Sequence, residues 1–116
     1  MAHTVLIVDD HPSFRASARI VLESEGFQVV GEAEDGASAI SQWTLLKPEV
    51  VLLDVQLPDT DGFHVCAELL CHADGPKVIL TSSRDSTDFG PLVHTSGARG
   101  FVPKAELSGE RVQELL

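Results

Sequence analysis

Positive charge is scarce in this sequence. Eight lysines and arginines face 18 aspartates and glutamates, giving a formal net charge of −10. Nucleic-acid affinity rests largely on Lys and Arg facing phosphates, so the segment is not expected to bind DNA or an anionic membrane itself. Cysteine is also scarce. Two residues, Cys66 and Cys71, are too few for a disulfide framework. The stretch "HVCAELLCH" sets His64, Cys66, Cys71 and His72 close in sequence, but at roughly 100° per helical residue the two thiols point about 140° apart. One helix cannot wrap those four groups around an ion at zinc's bond lengths, so they are read as ordinary helix residues. No apolar run approaches the roughly 20 residues of a membrane span. The opening "MAHTVLIVDD" lacks a basic n-region, so it is not a signal peptide, and a cytoplasmic location is expected. Repeats, low-complexity tracts and linkers are absent, and 116 residues suit one domain with a modest core.

What is present is an alternation of two periods. "TVLIV" (4–8) is a short β-branched run, followed by "PSFRASARIVLESEG" (12–26), where Phe14, Ala18, Val21 and Leu22 recur at helical spacing. Pro12 suits a first helical turn and Gly26 a C-terminal cap. "FQVVGEA" (27–33) reads as a strand, "DGASAISQWTLLK" (35–47) as a helix stopped by Pro48, and "EVVLLDV" (49–55) as a buried strand. "FHVCAELLCHA" (63–73) predicts a helix with Phe63, Ala67 and Leu70 in one stripe, flanked by Val65 and Leu69. "KVILT" (77–81) is another strand. Residues 82–98 predict a weaker helix, short or late in forming, because Gly90 and Pro91 sit near its start. "GFV" (100–102) is a last strand, and "LSGERVQELL" (107–116) a last helix. Strands apolar on both faces need helices on both sides. The expected fold is therefore α/β, five parallel strands alternating with five helices, with chemistry at the carboxyl ends of the strands.

Those ends carry a particular set. Asp9 and Asp10 follow the first strand, Asp54 ends the third, Thr81, Ser82 and Ser83 follow the fourth, and Lys104 follows the fifth. Glu32 and Glu34, after the second, are expected to be solvated. Fold stability gives no reason to gather three carboxylates. Two like charges about 4 Å apart repel by about 4 kcal/mol at an effective dielectric near 20. A divalent cation removes the problem. Oxygen ligands without imidazole or thiolate nearby favour magnesium, with manganese as a substitute, over zinc. Magnesium with one or two carboxylates and a phosphate describes a phosphoryl-transfer site. In that site Asp54, expected to lie deepest, is the nucleophile on phosphorus. Asp9 and Asp10 hold the ion, Lys104 adds a second positive group, and Ser82 donates to a phosphoryl oxygen. Pro58 and Gly62 shape the neighbouring loop, unless Gly62 simply begins the next helix.

"LIVDDHPSFR" (6–15), "VVLLDVQLPDTDGF" (50–63), "VILTSS" (78–83) and "GFVPKAEL" (100–107) together resemble the receiver domain of two-component response regulators, over nearly the whole chain. The resemblance implies a flavodoxin-like (βα)5 three-layer sandwich with strand order 2-1-3-4-5. It implies that Asp54 takes a phosphoryl group from a phosphohistidine on a sensor histidine kinase. Asp9, Asp10, Asp54 and the backbone carbonyl of Gln56 would bind magnesium. Ser82 would be the switch hydroxyl, Lys104 the family lysine and Phe101 the switch aromatic, acting on a face made by helix 4, strand 5 and helix 5 that supports homodimerisation. The protein would be a phosphoacceptor rather than an enzyme, capable at most of weak self-directed phosphotransfer and autodephosphorylation.

Three features depart from the family pattern. Many members place a tyrosine at the switch position, where this chain has Phe101 and no hydroxyl. Many have proline after the lysine, where Pro103 precedes Lys104 and Ala105 follows, so no cis peptide is expected there. Gly90 and Pro91 make the fourth helix atypical. "DDHPSFR" and "GFVPKAELS" are most similar to receivers of LuxR/NarL-type regulators, which reach DNA through a C-terminal helix-turn-helix domain. Residues 1–116 hold the receiver only, and the reading is of one excised from a longer protein or, alternatively, of a stand-alone receiver. A phosphatase of the haloacid-dehalogenase kind would want an aspartate where Gln56 stands. A flavin-binding protein would want a phosphate loop after the first strand. A receiver that binds partners without phosphorylation is the remaining alternative, against the intact set of Asp9, Asp10, Asp54 and Lys104.

Overall fold

The computed structural model describes residues 3–84 and 89–116. Five strands, β1 (Thr4–Val8), β2 (Gln28–Ala33), β3 (Val50–Asp54), β4 (Lys77–Ser82) and β5 (Gly100–Pro103), form one parallel sheet in the order β2-β1-β3-β4-β5. They alternate with α1 (Pro12–Ser24), α2 (Gly36–Leu46), α3 (Gly62–Leu70), α4 (Leu92–Thr95) and α5 (Gly109–Leu115), and a 3-10 turn at Lys104–Glu106 follows β5. The expected three-layer sandwich is therefore present. Among the described residues, no helix is long and apolar enough to cross a membrane.

The sheet divides the core in two. Val5, Ile7, Leu52, Ile79 and Val102 face α1 and α5, packing with Ala18, Leu22 and Val112. Leu6, Val8, Val51, Leu53 and Leu80 face α2 and α3, packing with Trp43, Val65 and Leu69. Every residue of β3 is buried, including the terminal Asp54. Burying one such leucine stabilises the fold by about 1.5–3 kcal/mol.

Element ends follow local chemistry. Gly26, at φ +93, takes the left-handed turn just past α1, as expected of a capping glycine. Asp35 caps α2 through the Ser38 amide, and Lys47 ends that helix in a left-handed conformation just before Pro48. The fourth helix is a single turn. Of the segment predicted as this helix, 82–98, residues 85–88 lie outside the described residues.

The stripe predicted on α3 is corrected. Val65, Cys66 and Leu69 face inward, Phe63 and Leu70 are half-buried, and Ala67 is exposed. Nearly the whole helix is apolar, so periodicity alone does not set its rotation. Gly62 sets it. A Cβ there would lie 2.5 Å from the Asp54 carbonyl oxygen, so this residue must press on β3, and positions three, four and seven further on turn inward with it. Both readings of Gly62 hold, since it begins α3 and also shapes the loop. Cys66 is in the core and Cys71 is exposed.

Candidate functional site

Sheet order 2-1-3-4-5 places a topological switch point between β1 and β3, where the crossovers leave in opposite directions. The residues that reach it follow from the period of two along a strand. Ile7, Leu52 and Val102 face the α1/α5 side. Asp9, Asp54 and Lys104 each lie two residues further on and meet at that side's upper end.

The Lys104 ammonium sits 2.5 Å from Asp9 Oδ2 and 3.3 Å from Asp54 Oδ2. It also lies 4.6 Å above the Phe14 ring. Asp54 Oδ1 accepts from the Gln56 backbone amide at 3.1 Å. Asp9 and Asp54 are 0% and 2% exposed, so Asp9 lies as deep as Asp54, contrary to the expectation that Asp54 is deepest. Asp10 is at the solvent rim. The backbone of Asp9 is fixed from both sides. Its amide donates to the Ala33 carbonyl at 2.9 Å, and its carbonyl accepts from the Arg15 guanidinium. Arg15 and Arg19 both bind Glu32 at 3.0 Å. Glu32 is thus paired by two arginines rather than merely solvated.

A second correction concerns His11. An oxygen-only cluster was expected, but the His11 ring joins it. Its Nδ1 lies 3.0 Å from Asp9 Oδ1 and 3.1 Å from Asp10 Oδ1, and its backbone amide donates to Asp9 Oδ1 at 2.8 Å. One ligand atom each from Asp9, Asp10, His11 and Asp54 fall within 4.8 Å of one another. Three carboxylates in so small a volume fit a hard divalent cation. The residues that would hold it are Asp9, Asp10 and Asp54.

Burial pushes the Asp54 carboxyl up to about 6 and the nearby Asp9 charge adds to this, while the Gln56 amide and Lys104 pull the other way. Burial would depress the Lys104 ammonium. The hydrogen bond it donates to Asp9 and the charges of Asp54 and Asp9 outweigh it and hold the pKa above the usual lysine range. The site is short of positive charge, since one ammonium faces three carboxylates.

Ser82 and Phe101 lie elsewhere. Ser82 is buried at the end of β4, two residues beyond Leu80, and so turns to the α2/α3 side. Its hydroxyl accepts from the Arg84 amide at 3.1 Å, and among the described residues no hydrogen bond joins it to Asp54. Thr81 is the residue in register with Asp54, and its buried hydroxyl has no hydrogen-bond partner among the described residues. Phe101 is half-buried on the same side as Ser82, with its ring centroid 5.9 Å from that of Phe89. Beside it a cleft of about 450 Å³ opens between α4 and β5. The Gln56 amide is the group seen at the Asp54 carboxylate. The peptide after Lys104 is trans. Sequence reasoning missed His11, although "DDHP" carried the signal. It also missed Arg15, which only the fold brings back to Asp9.

Comparison with known proteins agrees with this fold. The sequence profile of the response regulator receiver domain matches residues 5–115. A putative transcriptional regulator of Pseudomonas aeruginosa is 39% identical over 102 residues, covering 88% of this chain and 49% of that protein. The virulence factors putative positive transcription regulator BvgA of Bordetella pertussis is 36% identical over 106 residues, covering 91% of this chain and 51% of that one. The chain therefore spans about half the length of these regulators. Among solved structures, the signal receiver domain of the putative response regulator NarL from Mycobacterium tuberculosis superposes with a TM-score of 0.87 at 33% identity. It covers 97% of this chain and 94% of its own.

Proposed function

The chain belongs to the response regulator receiver family, and from that premise we propose that Asp54 is its phosphoacceptor in a magnesium-dependent transfer from a sensor histidine kinase. The observation that carries this is the junction of Asp9, Asp54 and Lys104 at the switch point, with two carboxylates buried and a single cation between them. An Asp54 oxygen attacks phosphorus as the bond from phosphorus to the donor's imidazole nitrogen breaks, and the acyl phosphate stays on the protein. The leaving imidazole takes up a proton. Magnesium, when bound, neutralises phosphoryl oxygens. Lys104 already pairs with Asp54 Oδ2, and its ammonium is placed to follow the new charge. Asp9, held by backbone bonds on both sides, keeps the acid pair in place without reorganisation.

Ser82 and Phe101 form the response side of this proposal. New negative charge at Asp54 favours a donor hydroxyl turned toward it. Ser82, at the end of the adjacent strand, is the candidate, with Phe101 following on the same face of the sheet. The outcome is a population shift at the α4–β5–α5 face that controls homodimerisation. Relatives named as transcription regulators are about twice the length of this segment. In a protein of that plan, DNA is reached through a further domain rather than through this acidic one. The chain is an acceptor, not a turnover enzyme, and works in the cytoplasm beside its kinase.

The test is a small acyl-phosphate donor with magnesium, followed by mass spectrometry of the intact chain. The expected result is a gain of about 80 Da, the mass of one phosphoryl group on a side chain, abolished in Asp54→Asn. An adduct that persists in Asp54→Asn would remove Asp54 from the role. No adduct with any donor would favour a receiver that binds without phosphorylation.

A further inference from the structure

Asp59 lies five residues beyond Asp54, at the tip of the loop leading into α3. Both of its carboxylate oxygens are engaged, and by a distant segment. Oδ1 accepts from the Gly36 amide at 2.8 Å and Oδ2 from the Ala37 amide at 3.1 Å. These are the first two residues of α2. Helix starts leave such amides without intrahelical partners. Asp35 already satisfies Ser38 at 2.8 Å, and Ala39 bonds to the Asp35 carbonyl at 3.0 Å. Asp59 therefore completes the first turn of α2 from outside it. The amides of Gly36 and Ala37 hold its carboxyl below the usual carboxylate range, though some desolvation at this exposed position works against them.

The loop that Asp59 closes is short and tied at both ends. At its base, Gln56 pairs antiparallel with Asp61, and the Gly62 amide donates to the Val55 carbonyl at 2.6 Å. Gly62 cannot carry a Cβ without striking the Asp54 backbone. At its tip, the Leu57 amide bonds to the Thr60 carbonyl at 3.3 Å, and Thr60 sits so close to α2 that a Cβ on Gly36 would lie 2.4 Å from its methyl group. Gln56, whose amide holds Asp54 Oδ1, thus lies at the base of a loop whose tip Asp59 ties to α2.

We propose that Asp59 is a positioning residue for the acidic site: by fastening the loop tip to α2 it fixes the Gln56 backbone against Asp54 and so sets the site's affinity for its cation. The proposal rests on the reading of that site as a magnesium centre. Groups that orient ligands from one layer further out commonly change metal affinity about 10- to 100-fold when removed. A loss of helix stability alone would not have that effect, and Asp35 provides the control. Asp35→Ala removes a cap from the same helical turn without touching the loop.

The experiment titrates MgCl2 into the wild-type chain, Asp59→Ala, Asp59→Asn and Asp35→Ala by calorimetry, with a melting curve for each. Asp59→Ala is expected to weaken magnesium binding about tenfold. Asp59→Asn keeps one acceptor oxygen and should fall between it and the wild type. Asp35→Ala should melt at a temperature as low as Asp59→Ala, or lower, yet bind magnesium as the wild type does. Wild-type affinity in Asp59→Ala, or equal weakening in Asp35→Ala, would overturn the proposal while leaving the magnesium centre standing. No uptake by the wild-type chain would overturn the magnesium centre and this proposal together.

Discussion

The acidic end of the sheet and the α4–β5 region are neighbours across β4, yet they are built differently. At the acidic end nearly every group is held more than once. Asp9 is tied through its amide, its carbonyl and its carboxylate, Asp54 through both oxygens, and Gln56 through the loop that Gly62 pins to β3. In the α4–β5 region the helix is four residues long and buries none of them, whereas α3 buries four. Gly90 and Gly97 both adopt positive φ at its flanks, at +59° and +84°. Phe101 leans on Phe89 at the edge of an open cleft. Chemistry needs preorganisation, and response needs an element whose arrangements differ little in free energy. On the function proposed above, these two demands would fall to opposite faces of one sheet.

The largest expected effect breaks the rigid side. Lys104→Met leaves Asp9 and Asp54 buried with no ammonium between them, and removing one partner of a buried pair costs about 3–5 kcal/mol. Magnesium should recover part of it, so added MgCl2 should raise the melting temperature of Lys104→Met more than that of the wild type. A variant that melts like the wild type without magnesium would show that the carboxylates do not need the ammonium. Gly62→Ala comes next. Its Cβ meets backbone rather than a flexible side chain, and such overpacking costs about 1–3 kcal/mol, read by denaturant titration.

The pH dependence is subtler. The Asp54 carboxyl is raised from 3.8 to about 6 in the folded chain, so the fold binds its proton more tightly than the unfolded chain does. Its contribution to stability is most favourable below about pH 4, declines between pH 4 and 6, and stays unfavourable above that range. Asp54→Asn should therefore melt higher than the wild type at pH 7.5 without magnesium, with the difference shrinking toward pH 4. A constant difference across that range would refute the assignment. The smallest effect belongs to the loose side. Leu92 is 49% exposed, so Leu92→Ala should change stability by less than about 0.5 kcal/mol. Amides 92–95 should exchange with solvent far faster than those of β3 and β4.

Strands β1, β3 and β4 were legible because unbroken apolar runs have few other uses, and Asp54 stood out as the one charge in such a run. Asp9 and Lys104 followed from their places after strands. The rotation of α3 was not legible, because its sequence is apolar nearly all round and a single backbone contact at Gly62 decides it. The His11 ring was missed because a local turn, not a period, folds it back over Asp9 and Asp10. The Arg15 bond to the Asp9 carbonyl and the Asp59 bonds to Gly36 and Ala37 join segments that only the finished fold brings together. Ser82 was legible as a hydroxyl after a strand, but which way it faces depends on the register that sets Thr81, not Ser82, opposite Asp54.

The most direct test of the cation-dependent acidic site is a calorimetric magnesium titration of the wild-type chain beside Asp54→Asn at neutral pH. Saturable uptake at one site by the wild type, weakened at least about tenfold in Asp54→Asn, is the predicted result. Equal uptake by both chains, or none by either, would contradict it.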